Sequence, residues 1–274
     1  MISTRSRSSL FALILVTIAG LVAIDPSVAR AETPWSPDQR PATLVGCAKD
    51  GALAIDGVRW GFDNPADHRH TSRWRTVNVD PRAVTDVVFV IKPFAPEWLA
   101  AHALLCFRFD PRKPVTTSSG ETTTGLVLSV EAHLHEGQPF SLLGGFAGQF
   151  GIVYQLSSWE DYVARSSIAD QSLLPYVLAL DPDQKRRLLE RAMEEAVRSR
   201  PGELYNTTRR SCTTELVDLL NDVLPEKQRL RQYLIPGVLK DPATSLPRTM
   251  DRLLRSHGLI REALPVIEPA AKPL

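Results

Sequence analysis

The hydrophobic pattern of this chain changes period once, at Asp181-Pro182, and that change limits the folds open to it more than any other feature. Upstream, short runs rich in β-branched and aromatic residues are separated by Gly, Asp and Pro, the pattern of strands joined by turns. Four of these runs are LVGCA from Leu44, ALAIDGVRW from Ala52, RWRTVNVD from Arg73 and VTDVVFVIKPF from Val84. Others cover Ala100 to Phe109, Gly125 to His133, Phe150 to Leu156 and Leu174 to Leu180. Downstream, Leu188, Leu189, Ala192, Met193 and Ala196 recur at helical spacing, and Pro201-Gly202 ends that helix. A second helix starts near Ser211, buries Leu216, Leu219, Leu220 and Val223, and stops at Pro225. Residues 226–262 read as short helical pieces. Strands first and helices afterwards, without strict alternation, predict an α+β fold with a mainly antiparallel sheet.

The ends of the chain read differently from its middle. Arg5 and Arg7 precede the apolar run Leu10 to Ala23, and Ala29-Arg30-Ala31 supplies the small residues of a cleavage site. This predicts a signal peptide over 1–31, cut before Glu32, and a periplasmic or secreted protein. The run is shorter than the roughly 20 residues that span a bilayer, and no later segment is apolar for long enough. Residues 32–43 are Pro-rich and read as an unstructured leader, 44–262 as one domain, and 263–274 as a flexible tail. Losing Arg5, Arg7, Arg30 and Asp25 leaves 29 basic and 30 acidic residues, a net charge of −1. Near-neutrality excludes nucleic acid as an expected partner and offers no polybasic patch for lipid, although peripheral membrane contact stays open.

Three cysteines remain: Cys47, Cys106 and Cys212. An odd count in an exported chain leaves at least one free thiol, with Cys47–Cys106 as the candidate bridge. No pair has metal-ligand spacing, so neither a metal nor a cofactor is expected. Cys212 stands out by position. Ser211 is a natural N-cap, which puts the thiol in the first helical turn, where the dipole and unpaired amides favour a thiolate. Arg209 and Arg210 would push the same way. The commoner fate of a free cysteine is burial as a small apolar residue, and spacing alone favours it.

On its strand, His102 shares a face with Leu104 and Cys106, and a neutral imidazole there could take a proton from a thiol. Glu131, on the next strand, could orient that imidazole; His133 and His135 are substitutes for the same role. Tyr205 and Asn206 precede the cysteine helix and could direct a donor at an oxyanion beside Cys212. The plainer reading of Asn206 is a turn residue.

Taken in order, VRWG (58–61), WRT (74–76), DVVFVIKPF (86–94), AAHALLCF (100–107), LSVEAH (128–133) and LYNTTRRSCTT (204–214) resemble one family. It is the N-terminal periplasmic domain of the lipoprotein N-acyltransferase family Lnb, and the likeness covers roughly residues 50 to 240. The resemblance implies a papain-like, NlpC-type fold in permuted order, with the histidine first and the cysteine later. It also implies transfer of an acyl chain from a phospholipid to the amino-terminal cysteine of a lipoprotein through a thioester. Carried over by motif, Cys212 becomes the nucleophile, His102 the general base, Glu131 the orienting group, and Tyr205 or Asn206 a helper at the oxyanion. The chain departs from the family in having Arg210-Ser211 before the cysteine, Cys106 at a hydroxyl position, and no membrane-spanning helix beyond the signal. The expected function is therefore an exported thiol-dependent acyltransferase or hydrolase acting on lipid, lipoprotein or peptide substrates in the envelope. A non-catalytic binding domain of the same fold and an amidase acting on cell-wall peptides are the alternatives.

Overall fold

The computed structural model describes residues 34–48, 51–62, 72–95, 100–231, 233–235, 239–240 and 246–270. The expected signal peptide and residues 271–274 lie outside the described residues. Everything that follows belongs to one compact unit, Pro34–Leu274.

The β-rich part folds as β1 (Thr43–Cys47), β2 (Leu53–Phe62), β3 (Ser72–Val79), β4 (Val84–Pro93), β5 (Ala101–Phe109), β6 (Val115–Thr117), β7 (Thr122–Thr123) and β8 (Gly125–His133). After a short helix α1 (Leu142–Phe146) come β9 (Phe150–Ser158), α2 (Trp159–Ile168) and β10 (Leu174–Leu178). Then follow α3 (Pro182–Val197), β11 (Leu204–Tyr205), α4 (Cys212–Val223), the hairpin β12 (Tyr233–Ile235) and β13 (Leu239–Lys240), α5 (Met250–Ser256) and β14 (Ile260–Ala263). One sheet runs β14-β10-β4-β5-β8-β9-β2-β3-β6-β7, with β1 on β2 and β11 on β9. All its pairings are antiparallel except β2–β9. The α+β class with a mostly antiparallel sheet is thus as expected.

Alternation along the central strands feeds two cores. On β5, Ala101, Ala103, Leu105 and Phe107 face the large core under α3, α4 and α5, while Leu104 and Cys106 face a smaller one under α2. The helix starts follow the sequence signals. Asp181 caps α3 in a capping box with Gln184, behind Pro182, and Ser211 caps α4 in a box with Thr214.

Four expectations change. The leader is not unstructured: from Pro34 onward it packs on the domain, with Ala42 only 4% exposed. Gly57, at φ +81°, makes room for it, since a Cβ there would sit 2.9 Å from the Pro41 carbonyl oxygen. Trp35 stacks between His133 and His135, at ring separations of 3.8 and 4.1 Å. The tail is likewise anchored as far as Ala270: β14 pairs with β10, and Leu173 and Ile267 exchange backbone hydrogen bonds. Those bonds satisfy the edge of β10, which the reading of 226–262 as helical pieces had left open. Finally, all three cysteines are free, Cys47 exposed and Cys106 buried in the small core, so the Cys47–Cys106 bridge is absent.

Candidate functional site

Helix α4 lays its first turn against β5 and β8. This brings the Cys212 thiol, 3% exposed, to His102 at the start of β5. The β5–β8 ladder ends at the pair Leu104–Ser129, and His102 and Glu131 occupy the next positions on the same face beyond it. Burial by itself raises the Cys212 thiol. The His102 charge, a hydrogen bond with the same imidazole, the Ala103 backbone and the Thr213 hydroxyl outweigh burial, and the net displacement is downward. The two arginines expected to help do not. Arg210 is held by Glu203 at 2.5 Å and also faces Glu215, while Arg209 is exposed.

The histidine is oriented through an intermediate residue. His102 Nε2 lies 2.7 Å from Ser129 Oγ, and Ser129 Oγ donates to Glu131 Oε1 at 2.8 Å. The second Glu131 oxygen accepts from Gln39 Nε2 at 3.0 Å. Gln39 is itself fixed by donating to the Ala132 carbonyl (2.9 Å) and accepting from Leu134 N (2.8 Å). Burial would raise the Glu131 carboxyl, but the Arg59 and His102 charges and the hydrogen bonds from Gln39 and Ser129 hold it at about 2. A carboxylate cannot donate, so the single Ser129 proton goes to Glu131 and the Ser129 oxygen accepts from His102 Nε2–H. Nδ1 is then the ring nitrogen with a lone pair, the tautomer a general base toward a thiol requires.

Around this line sits a second polar layer. Arg59 Nε pairs with Asp161 at 2.8 Å in a buried ion pair that ties β2 to α2, and Asp161 also accepts from Gly61 N. Lys92, the cross-strand neighbour of His102, stands 5.1 Å from the centroid of the Tyr162 ring. Burial lowers its ammonium, against the opposing pull of Glu131.

Tyr205 and Asn206 part company. The Tyr205 hydroxyl lies against the Cys212 thiol and backbone; burial and then the thiolate charge push it well above the usual phenol range, so it stays a donor. Asn206 is spent on the turn: its Nδ2 donates to the Phe146 carbonyl and its Oδ1 accepts from Thr208 and Arg209. His133 and His135 hold Trp35 and do not join the line to Cys212. Of the residues that sequence reasoning missed, Ser129 carried a signal: it is two before Glu131 on a strand and so shares its face. Gln39 carried none, because it lies 92 residues from the carboxylate it supports.

The thiol opens into a cleft of about 360 Å³, within the range of small-molecule sites. His102, Glu131, Lys92, Gln39 and Tyr205 are among its polar lining, with Gln171, Thr207 and Ser211, and Phe94, Val130, Leu134, Phe140 and Phe146 are among its apolar walls. Among the described residues no cluster of His, Cys, Asp or Glu could hold a metal ion, and no helix is long and apolar enough to cross a membrane.

Neither a curated protein nor a solved structure matches this chain. A protein family does: residues 70–250 match the Lnb N-terminal periplasmic domain, a span that contains Cys212, His102, Ser129, Glu131 and Tyr205. A periplasmic family fits the exported location expected from the sequence. With well over half of its length inside that match, the chain belongs to the Lnb N-terminal periplasmic domain family.

Proposed function

We propose that this protein is a cysteine-nucleophile acyltransferase or hydrolase that takes an acyl group from a lipid or lipoprotein onto Cys212. The observation that carries this is a lowered thiol beside an oriented imidazole at the floor of a mainly apolar cleft. A peptide amidase would need charged anchors along its cleft, and here the charged side chains in the wall are Lys92 and Glu131, the latter held by Ser129 and Gln39. A helix-start cysteine packed against a strand histidine that precedes it in the chain supports the permuted papain-like description.

In the reaction, His102 Nδ1 accepts the Cys212 proton and the thiolate adds to the ester carbonyl carbon. The oxyanion forms beside the first turn of α4 and the Tyr205 hydroxyl. Collapse breaks the carbon–oxygen ester bond, His102 returns the proton to the leaving alkoxide, and a thioester remains on Cys212. An amine or water then adds to the thioester, giving its proton to His102. Expulsion of the thiolate releases an amide or a carboxylic acid, and Ser129 and Glu131 hold the imidazole in one tautomer throughout.

The test is incubation with a phospholipid carrying a labelled acyl chain, followed by intact mass measurement. Wild type gains a hydroxylamine-labile acyl mass, Cys212→Ala gains none, and His102→Ala gains it on the order of 100-fold more slowly. Absence of the acyl mass in wild type, with a cell-wall peptide cleaved instead, would overturn the lipid reading.

A further inference from the structure

Beside the cleft runs a stretch of 23 residues without one charged side chain, from Gly137 to Trp159. Its large exposed apolar side chains are Phe140 and two on α1, a helix of five residues capped by Ser141. A short surface helix ordinarily turns its apolar side chains inward, and this one does the reverse. Gly144 and Gly145 are its buried residues, whereas Leu143 is 68% exposed and Phe146 51%. The glycines are required there, since a Cβ on Gly145 would lie 2.3 Å from Thr207 Oγ1 and one on Gly144 2.8 Å from the Phe150 ring. Thr207 N donates to the Gly145 carbonyl and Asn206 Nδ2 to that of Phe146, so α1 is clamped to the loop that leads into Cys212.

A rigid group of exposed large apolar side chains marks an interaction surface. What covers it follows from its surroundings. Phe140, Leu142 and Phe146 also line the Cys212 cleft, so surface and cleft form one apolar track, and the exposed Leu246 lines the same cleft. Two exposed cations flank the track and make no ion pair among the described residues. Arg209 is hydrogen-bonded through its backbone to Asn206, and Arg248 follows the cleft residue Pro247. An uncharged apolar foot flanked by unpaired cations matches the headgroup–acyl boundary of an anionic phospholipid bilayer.

We propose that Phe140 and α1 form a membrane-docking foot that inserts Leu143 and Phe146 into a phospholipid bilayer surface and sets the cleft mouth against it. The ester-linked chain of a phospholipid can then pass to Cys212 without crossing water. This rests on the acyl-enzyme reading for its purpose and not for its test.

The experiment is vesicle flotation of the chain from Glu32 onward, which keeps the compact unit and omits the apolar run Leu10–Ala23. Wild type floats with phosphatidylglycerol vesicles and more weakly with phosphatidylcholine. Leu143→Glu with Phe146→Glu lowers the bound-to-free ratio at least about tenfold, and Arg209→Gln lowers it on the anionic vesicles alone. Ile168→Glu, at a 49% exposed apolar residue on α2 outside the cleft, and Cys212→Ala leave it unchanged. A wild type that does not float overturns the proposal, as does a double variant that floats equally well. So does a wild-type dimer that the double variant splits while vesicle binding persists. If wild type floats as expected yet phospholipid leaves no acyl group on Cys212, docking stands and the acyl-enzyme reading falls.

Discussion

Replacing Ser129 by alanine removes one hydroxyl from between His102 and Glu131, and the consequence should be readable at Cys212. Ser129 is 1% exposed, so water does not take its place, and the imidazole loses its 2.7 Å acceptor. A hydrogen bond to a charged group is worth about 1.5–3 kcal/mol. The charge on His102 is the largest influence holding the thiol down, so that loss passes to the thiolate–imidazolium pair. At 1.36 kcal/mol for each pKa unit, the thiol's titration midpoint rises by about 1–2 units, and its alkylation rate at neutral pH falls about 10- to 100-fold. The assay is the pH dependence of iodoacetamide labelling at Cys212, read by mass spectrometry in a Cys47→Ser background because Cys47 is exposed. Wild type titrates below the ordinary thiol value, His102→Ala at or above it, and Ser129→Ala between them. Ser129→Thr, which keeps the hydroxyl, recovers most of the shift. The substitution also costs about 1–3 kcal/mol of stability by leaving a buried donor unmet, so a melt must show the variant folded. A folded Ser129→Ala protein that titrates like wild type, while His102→Ala does not, would refute the relay.

Two further outcomes follow from the leader. Gln39→Ala removes three hydrogen bonds that fasten the leader to Glu131 and its strand; it should lower the unfolding free energy by roughly 2–4 kcal/mol and expose the segment around Arg40 to limited proteolysis. His133, which burial and then the neighbouring His135 lower to about 4, binds its proton more readily in the unfolded chain. Its contribution to stability is therefore complete above about pH 6.5 and lost as pH falls from there toward 4. Because the ring is only partly buried, we expect about 1–2 kcal/mol, seen as a falling melting temperature with a change in Trp35 fluorescence, and absent in His133→Gln.

Much of the fold was legible along the chain. Alternation locates the central strands, and Asp181-Pro182 and the cap at Ser211 locate two helix starts, because those signals act between residues at most four apart. What escaped detection was made at distance. Leu173 meets Ile267 only because the end of the chain returns to the sheet edge, and nothing in the Pro-rich composition of 263–274 announces it. Counting cysteines offers Cys47 and Cys106 as a pair, whereas alternation on β5 turns Cys106 into the core beneath α2.

The site divides along the same line. The cysteine at a capped helix start, the strand histidine and the strand carboxylate were evident as residue types in local settings, so the sequence by itself determined which groups could react. Whether the histidine and the carboxylate join one hydrogen-bonded line depends on contacts between residues 27 and 92 positions apart, His102 with Ser129 and Glu131 with Gln39. Only the tertiary structure decided that, because hydrogen-bond direction and desolvation are properties of neighbours in space. The same holds for α1, whose apolar letters read like any buried segment until packing turned its glycines inward and its leucine and phenylalanine out.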